Sequence, residues 1–227
     1  MIFHRKTVLA SLKASTPVFF GYMAIGFAFG FLLVKAGFPW YLAPIMCITI
    51  FAGAAQFVAI GLLNSDKSIF EMGLAILLIN ARHMVYGISL LDRFKSFKKL
   101  KKYLIYGLTD ETYALLTTLE APIGCKTELF DFWITAFNQS YWIIGSTLGA
   151  ILGSVISFDF PGIDFALTAL FIVLTIEQIK AIKKVLPFLI PIIIVALIYI
   201  LKIDGDVLII TIVLSSVASL IIGGREK

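Results

Sequence analysis

The chain is poor in charge: only 15% of its 227 residues are Asp, Glu, Lys or Arg. It has two cysteines, Cys47 and Cys125, and no CxxC spacing, so neither a zinc site nor a redox pair is supported and two free thiols are expected. No GxxxxGK[ST] run is present, which argues against direct ATP drive. HExxH and GxSxG are missing, so an intramembrane metalloprotease or an α/β-hydrolase has no support. The TVGYG run of potassium-channel filters is absent too. No enzyme, resident metal or cofactor is expected.

What is there is apolar. The apolar fraction is 60% and the mean hydropathy is +1.00. A soluble domain of this length cannot hide that much apolar surface in one core, whereas a bilayer removes the problem. The apolar runs are continuous, as in 185–201, and not the alternating pattern of a membrane β-barrel. The expected class is all-α: a polytopic integral membrane helical bundle, with residues 1–227 forming a single transmembrane transporter domain. The net charge of +5 sits in short clusters between apolar runs. That pattern sets orientation and touches lipid headgroups, and no nucleic-acid partner is expected.

Crossing a bilayer takes roughly 20 apolar residues per helix. Apolar stretches lie at 16–34, 41–63, 70–91, 132–156, 163–179, 185–201 and 207–222, with a weaker one at 103–119. This gives six to eight membrane segments. Basic residues precede the first span, and the lead is read as a cytoplasmic segment retained in the mature protein. Six Lys or Arg lie between Arg93 and Lys102, and more at 180–184 and 225–227. The positive-inside rule places all of these, with both termini, in the cytoplasm. Three full crossings would put the 93–102 run outside. We therefore expect 41–63 to be re-entrant or broken near Gly53, and 103–119 to start and end inside. Eight full crossings are the counter-reading. No internal repeat stands out.

Polar groups concentrate in three places. Asn80, Arg82, His83 and Tyr86 lie within an apolar span, where an arginine costs at least about 2.5 kcal/mol to insert. Arg82 suits a carboxylate of substrate or protein, and His83 titrates where a proton gradient can act on it. The plainer alternative is that both only satisfy buried partners. Asp110 and Glu111 follow Thr109; they are an acid partner for Arg82, a coupling site, or a solvated helix start capped by Thr109. Tyr106, Asp110, Tyr113 and Thr117 would share a stripe of one helix. Gly53 and Gln56 lie in a small-residue patch, suited to a ligand or to holding helices together. Asn138 and Gln139 stand near the start of their span and are expected at the interface, and Trp40, Trp133, Tyr141 and Trp142 are expected to include belt residues more than to form a stacking site. The 26–30 GxxxG permits close helix approach but is common.

Five motifs occur in an order that resembles the AzlC family, also called the YgaZ type. They are Thr16-Pro17 with Gly21-Tyr22 and Phe27-Ala28-Phe29-Gly30; Phe51-Ala52-Gly53-Ala54-Ala55-Gln56-Phe57; Arg82-His83-Met84-Val85-Tyr86-Gly87; Leu108-Thr109-Asp110-Glu111; and the 164–171 segment. The resemblance covers roughly residues 15–175. It implies proton-driven export of leucine, isoleucine, valine and, in some members, methionine from the bacterial inner membrane. It also implies a separately encoded small membrane subunit of the AzlD type. It directs attention to Gly53, Gln56, Arg82, His83, Tyr86, Asp110 and Glu111 without assigning their roles; together with Asn80, we expect Gly53, Gln56, Arg82 and Tyr86 to bind substrate and His83, Asp110 and Glu111 to couple protons. A channel and a non-transporting assembly factor are the competing readings, and a higher oligomer is left open.

Overall fold

The computed structural model describes residues 5–65, 68–97, 100–156 and 186–203, with isolated positions between and beyond them. The chain divides into two compact units, one of Met1–Ser65 with Ile79–Ile163 and one of Asp66–Leu78 with Asp164–Lys227. All regular structure among the described residues is helical.

The first unit is built on two long helices, α1 (Arg5–Lys35) and α8 (Thr127–Val155). They run parallel. Ser11 Oγ donates to the Phe130 carbonyl at 3.1 Å near their starts, and Lys35 Nζ donates to the Ile156 carbonyl at 3.0 Å at their ends. Glycine lets the backbones touch. A Cβ on Gly30 would lie 1.8 Å from the Ser146 carbonyl oxygen, and one on Gly149 would lie 2.0 Å from that of Phe27. The 26–30 pair is therefore a packing face, set against Trp142, Ser146 and Ala150 of α8, while Gly145, Gly149 and Gly153 lie against Tyr22, Phe27 and Phe31 of α1. Helix α1 begins well ahead of the expected 16–34 span. Its basic residues ride on the first turns, where Lys6 Nζ donates to the Ile123 carbonyl at 2.9 Å.

Between these helices the chain makes two broken hairpins. Helices α2 (Leu42–Thr49) and α3 (Gly53–Leu63) flank the first break. At about 1.5 Å per residue, neither is long enough to cross roughly 30 Å of hydrocarbon. Phe51 in the break has φ +41°, a left-handed conformation costing about 1–2 kcal/mol for an L-residue, and its buried ring offsets that cost. Helix α3 returns to the end it came from: Asn64 Nδ2 donates to the Ala36 carbonyl at 3.1 Å, beside the end of α1.

Helix α4 (Ile69–Ser89) straddles the two units, and a short α5 (Leu91–Phe94) follows it. The second break separates α6 (Lys101–Tyr106) from α7 (Asp110–Thr118). Gly107 in this break lies against α8; a Cβ there would meet Thr135 Cγ2 at 2.2 Å. Thr109 caps α7, its hydroxyl accepting from the Thr112 N–H. Helix α6 climbs along α8, and α7 descends beside 79–94, with Arg82 level with Asp110, Ser89 level with Tyr113, and Arg93 level with Leu116. The base of this hairpin thus lies at the end where α1 and α8 start. An apolar cluster of Leu90, Phe94, Phe97, Leu104, Leu108, Leu116, Phe130 and Ile134 seals that end.

The hairpins enter from opposite ends and meet tip to tip. The Tyr106 hydroxyl donates to the Ile48 carbonyl, and the Phe51 and Tyr106 rings lie 6.4 Å apart. The expected interruptions at 41–63 and 103–119 are both present, each as a hairpin that enters and leaves at one end. Eight full-length crossings are therefore corrected, because α2, α3, α6 and α7 are each too short to cross. The stripe joining Tyr106 to Asp110 is corrected too, since the 107–109 break puts them on different helices.

In the second unit the described helix is α9 (Leu186–Ile200), with Pro191 inside it. The expected spans at 163–179 and 207–222, the short 202–206 connection and the 164–171 motif lie largely outside the described residues. Among the described residues, α1 and α4 are long and apolar enough to cross a membrane.

Candidate functional site

The start of α7 gathers most of the polar candidates. Arg82 Nη1 pairs with Asp110 Oδ2 at 2.8 Å, and the Tyr86 hydroxyl donates to Asp110 Oδ1 at 2.6 Å. Both partners sit one turn apart on α4, so the helix repeat presents them together. The pair is about a third exposed, with side-chain accessibilities of 32% and 27%. Tyr86 stacks on Tyr113 with centroids 4.3 Å apart, which fixes its hydroxyl over the carboxylate. The His83 ring stands 5.8 Å from that of Tyr86. Two polar atoms here are buried without a partner among the described residues: Asn80 Oδ1 and Arg82 Nε. Unmet donors and acceptors at such a place are what a bound polar ligand would satisfy.

Glu111 faces the other way, toward α1. The Tyr22 hydroxyl donates to Glu111 Oε2 at 2.7 Å and lies 2.6 Å from the Thr109 hydroxyl. The Thr109 hydroxyl donates to Thr112 Oγ1 at 2.9 Å, and Asn138 Nδ2 donates to the same oxygen at 3.0 Å.

Gly53 and Gln56 form a second cluster at the tip of the first hairpin. A Cβ on Gly53 would meet the Trp142 ring at 3.1 Å. Gln56 Oε1 accepts from Trp142 Nε1 at 2.8 Å, and Gln56 Nε2 donates to Cys47 Sγ at 3.4 Å. This amide joins α2, α3 and α8, the holding role weighed above. The first N–H groups of α3 lack intrahelical acceptors, as at any helix start, and Ala52 supplies no side-chain cap. The Tyr22 and Trp142 rings, 5.3 Å apart edge to face, link the two clusters.

Arg82, Tyr86 and Asp110 are thus brought into direct contact, with Glu111 beside them and Gly53 and Gln56 across the Tyr22–Trp142 bridge. Several participants were placed elsewhere by the sequence. Trp142 and Tyr141 are buried, not belt residues, and Asn138 is fully buried, not interfacial. Gln139 Oε1 accepts from the Tyr103 hydroxyl at 2.8 Å. The physical reason is that α8 starts at Thr127, ahead of its apolar run, which carries these residues toward mid-helix. Arg93 and Asp131 form an ion pair that sequence gave no reason to connect.

Two helices long and apolar enough to cross a membrane, with two opposed broken hairpins meeting beside a part-buried ion pair, fit a helical membrane protein. The chain belongs to the AzlC protein family, whose pattern matches residues 17–156. It is 39% identical over 172 residues to the branched-chain amino acid transport protein AzlC of Bacillus subtilis, covering 74% of this chain and 66% of that one. An uncharacterized membrane protein of Helicobacter pylori is 45% identical over 163 residues, 72% of each chain. The inner membrane protein YgaZ of Escherichia coli is 30% identical over 164 residues, 71% of this chain and 67% of that one. No solved structure matches the chain.

Proposed function

We propose that this chain is a secondary transporter that exports branched-chain amino acids across the bacterial inner membrane, coupled to protons and working with a small membrane subunit of the AzlD type. The observation that carries the reading is the meeting of two broken hairpins beside the Arg82–Asp110 pair. Irregular backbone at membrane depth is tolerated only where it is buried in protein or lines a watery cavity, and transporters build substrate sites from such helix ends.

The chemistry suits a zwitterion with an aliphatic side chain. Arg82, with an unmet Nε, would take the carboxylate, assisted by the start of α3. Asp110, released from Arg82, would take the ammonium while Tyr86 holds its other oxygen. Aliphatic and aromatic neighbours discriminate by methylene count, worth only about 1–3 kcal/mol, so leucine, isoleucine, valine and methionine should compete.

The proposed orientation follows basic charge. Arg5, Lys6, Lys13, Arg93, Lys95, Lys101, Lys102 and Lys126 fall at the end where α1 and α8 start, which would face the cytoplasm. Helices α1, α4 and α8 would then cross, with one hairpin entering from each side. The reading predicts leucine accumulation in everted vesicles carrying this chain and the small subunit, abolished by a proton uncoupler. Flux that ignores the uncoupler would indicate a channel, and no flux with the subunit present would indicate an assembly factor.

A further inference from the structure

The two neighbouring acids at the start of α7 have opposite surroundings. Asp110 already has a cation, Arg82, and a phenol donor, Tyr86. Glu111 has no cation within ion-pair distance among the described residues. Its partner is the Tyr22 hydroxyl, and the groups that face it across space are Arg82 of α4 and Asp110 of its own helix. A carboxylate in a low-dielectric place without its own cation is the one whose charge a proton can most usefully cancel.

Behind Glu111 the hydrogen bonds do not stop. They pass from Tyr22 to Thr109 at 2.6 Å, Thr109 to Thr112 at 2.9 Å, and Thr112 to the Asn138 amide at 3.0 Å. Tyr22, Thr109, Thr112 and Asn138 are all buried, at 5%, 6%, 0% and 0% exposure, so water does not compete for these links. Each of the three hydroxyls gives one proton and accepts others, and each is free to rotate. The chain ends on a side chain that offers either polarity: Asn138 donates with Nδ2 while its Oδ1 is buried without a partner among the described residues.

We propose that Tyr22, Thr109, Thr112 and Asn138 are positioning residues that let Glu111 carry the coupling proton. The inference rests on the proton-coupled reading above and assigns the coupling site within it. With Glu111 ionised, Tyr22 donates to the carboxylate and Asn138 to Thr112, and the chain is completed when the two threonine hydroxyls rotate from the Thr109-to-Thr112 bond so that Thr112 donates to Thr109 and Thr109 to Tyr22. When Glu111 takes up one proton, its O–H donates to Tyr22. Each hydroxyl then turns away, and Asn138 turns over to accept from Thr112 with Oδ1. No other proton is gained or lost, and the carboxylate's negative charge is the only charge cancelled. Either amide orientation leaves one end of Asn138 unmet among the described residues. Reversing the chain changes contacts among α1, α7 and α8 together, which ties protonation to the position of the second hairpin.

The test uses the full chain with the small subunit in everted vesicles with labelled leucine, and reads two fluxes: uptake driven by an imposed pH gradient, and leucine–leucine exchange at equal pH. Tyr22→Phe, Thr112→Val and Glu111→Gln should lower gradient-driven uptake by about tenfold or more while exchange stays near the parental rate. If Tyr22→Phe and Thr112→Val leave both fluxes unchanged, the relay is wrong. Infrared difference spectra across a pH step give a reading that needs no transport. Glu111→Gln should remove a protonated-carboxyl band, and Tyr22→Phe and Thr112→Val should shift it. A band that survives Glu111→Gln, or ignores the other two, overturns the assignment. Absence of gradient-driven uptake in the parent, with the band behaving as described, would instead reject the proton-coupled reading and leave the relay standing.

Discussion

Arg93 grips Asp131 with two nitrogens, Nε on Oδ2 at 2.8 Å and Nη2 on Oδ1 at 2.7 Å. It also donates to the carbonyls of Leu116 and Leu119, where α7 ends. One guanidinium thereby joins α5, the foot of the second hairpin and the first turns of α8. The Asp131 side chain is completely buried, at 0% exposure.

Breaking that pair should be costly. Asp131→Leu leaves the guanidinium facing an apolar wall, and a loss of about 3–5 kcal/mol is expected. Arg93→Met combined with Asp131→Leu should recover part of this, but not the capping of α7. Unfolding in detergent, arranged as a double-mutant cycle, measures the coupling. Strictly additive single effects would mean the pair contributes nothing.

The α1–α8 contact gives a contrast among glycines. Gly149→Val and Gly30→Val would drive side chains into carbonyl oxygens, so each should cost at least about 1–3 kcal/mol. Gly21→Ala and Gly61→Ala meet nothing within 4 Å and should leave stability near parental. Thermal shift of the purified variants decides. Equal effects in both groups would show that glycine is not there for packing.

Hairpin geometry makes an accessibility prediction. Ser65 follows Asn64, which bonds to the end of α1, so a cysteine there should react with an impermeant maleimide added from outside. Native Cys125 follows Ile123, which accepts from Lys6 near the start of α1, and should react only after permeabilisation. Labelling of Ser65→Cys from the cytoplasmic side would refute the proposed orientation of the first hairpin.

Gln56 should behave as a structural amide. Trp142→Phe strands Gln56 Oε1 in a buried place, for a loss of about 1–3 kcal/mol. Adding Gln56→Leu should recover much of it. If Gln56→Leu instead raises the KM for leucine without changing stability, the amide belongs to the substrate.

Both breaks were legible because charge constrains parity. The basic run at 93–102 cannot share a side with Arg5 and Lys6 unless one early segment fails to cross, and Gly53 marked which one. The Arg82–Asp110 contact was legible as one of several pairings, since an arginine within an apolar span needs an acid. Arg93 was not legible. It sits in a basic run that reads as solvated, and its partner lies 38 residues away across two helices. Asn138 and Trp142 were misplaced because hydropathy locates the apolar part of a helix, not its first residue. Thr112 carries no signal alone and Thr109 reads only as a helix cap; their link to Glu111 comes through Tyr22, 87 residues from Thr109.

The parallel pairing of α1 with α8 has a consequence in time. Its contacts join residues 119 and 121 positions apart, with both hairpins and α4 made in between. Helix α1 leaves the ribosome before α8 and must wait for this late-made neighbour before its glycine face is covered. Closure of so long a loop is late and slow by the ordinary cost of non-local contacts. Until then, Gly26 and Gly30 lie open to any helix that passes, including one from another chain. Assembly order is therefore built into the sequence at these two residues.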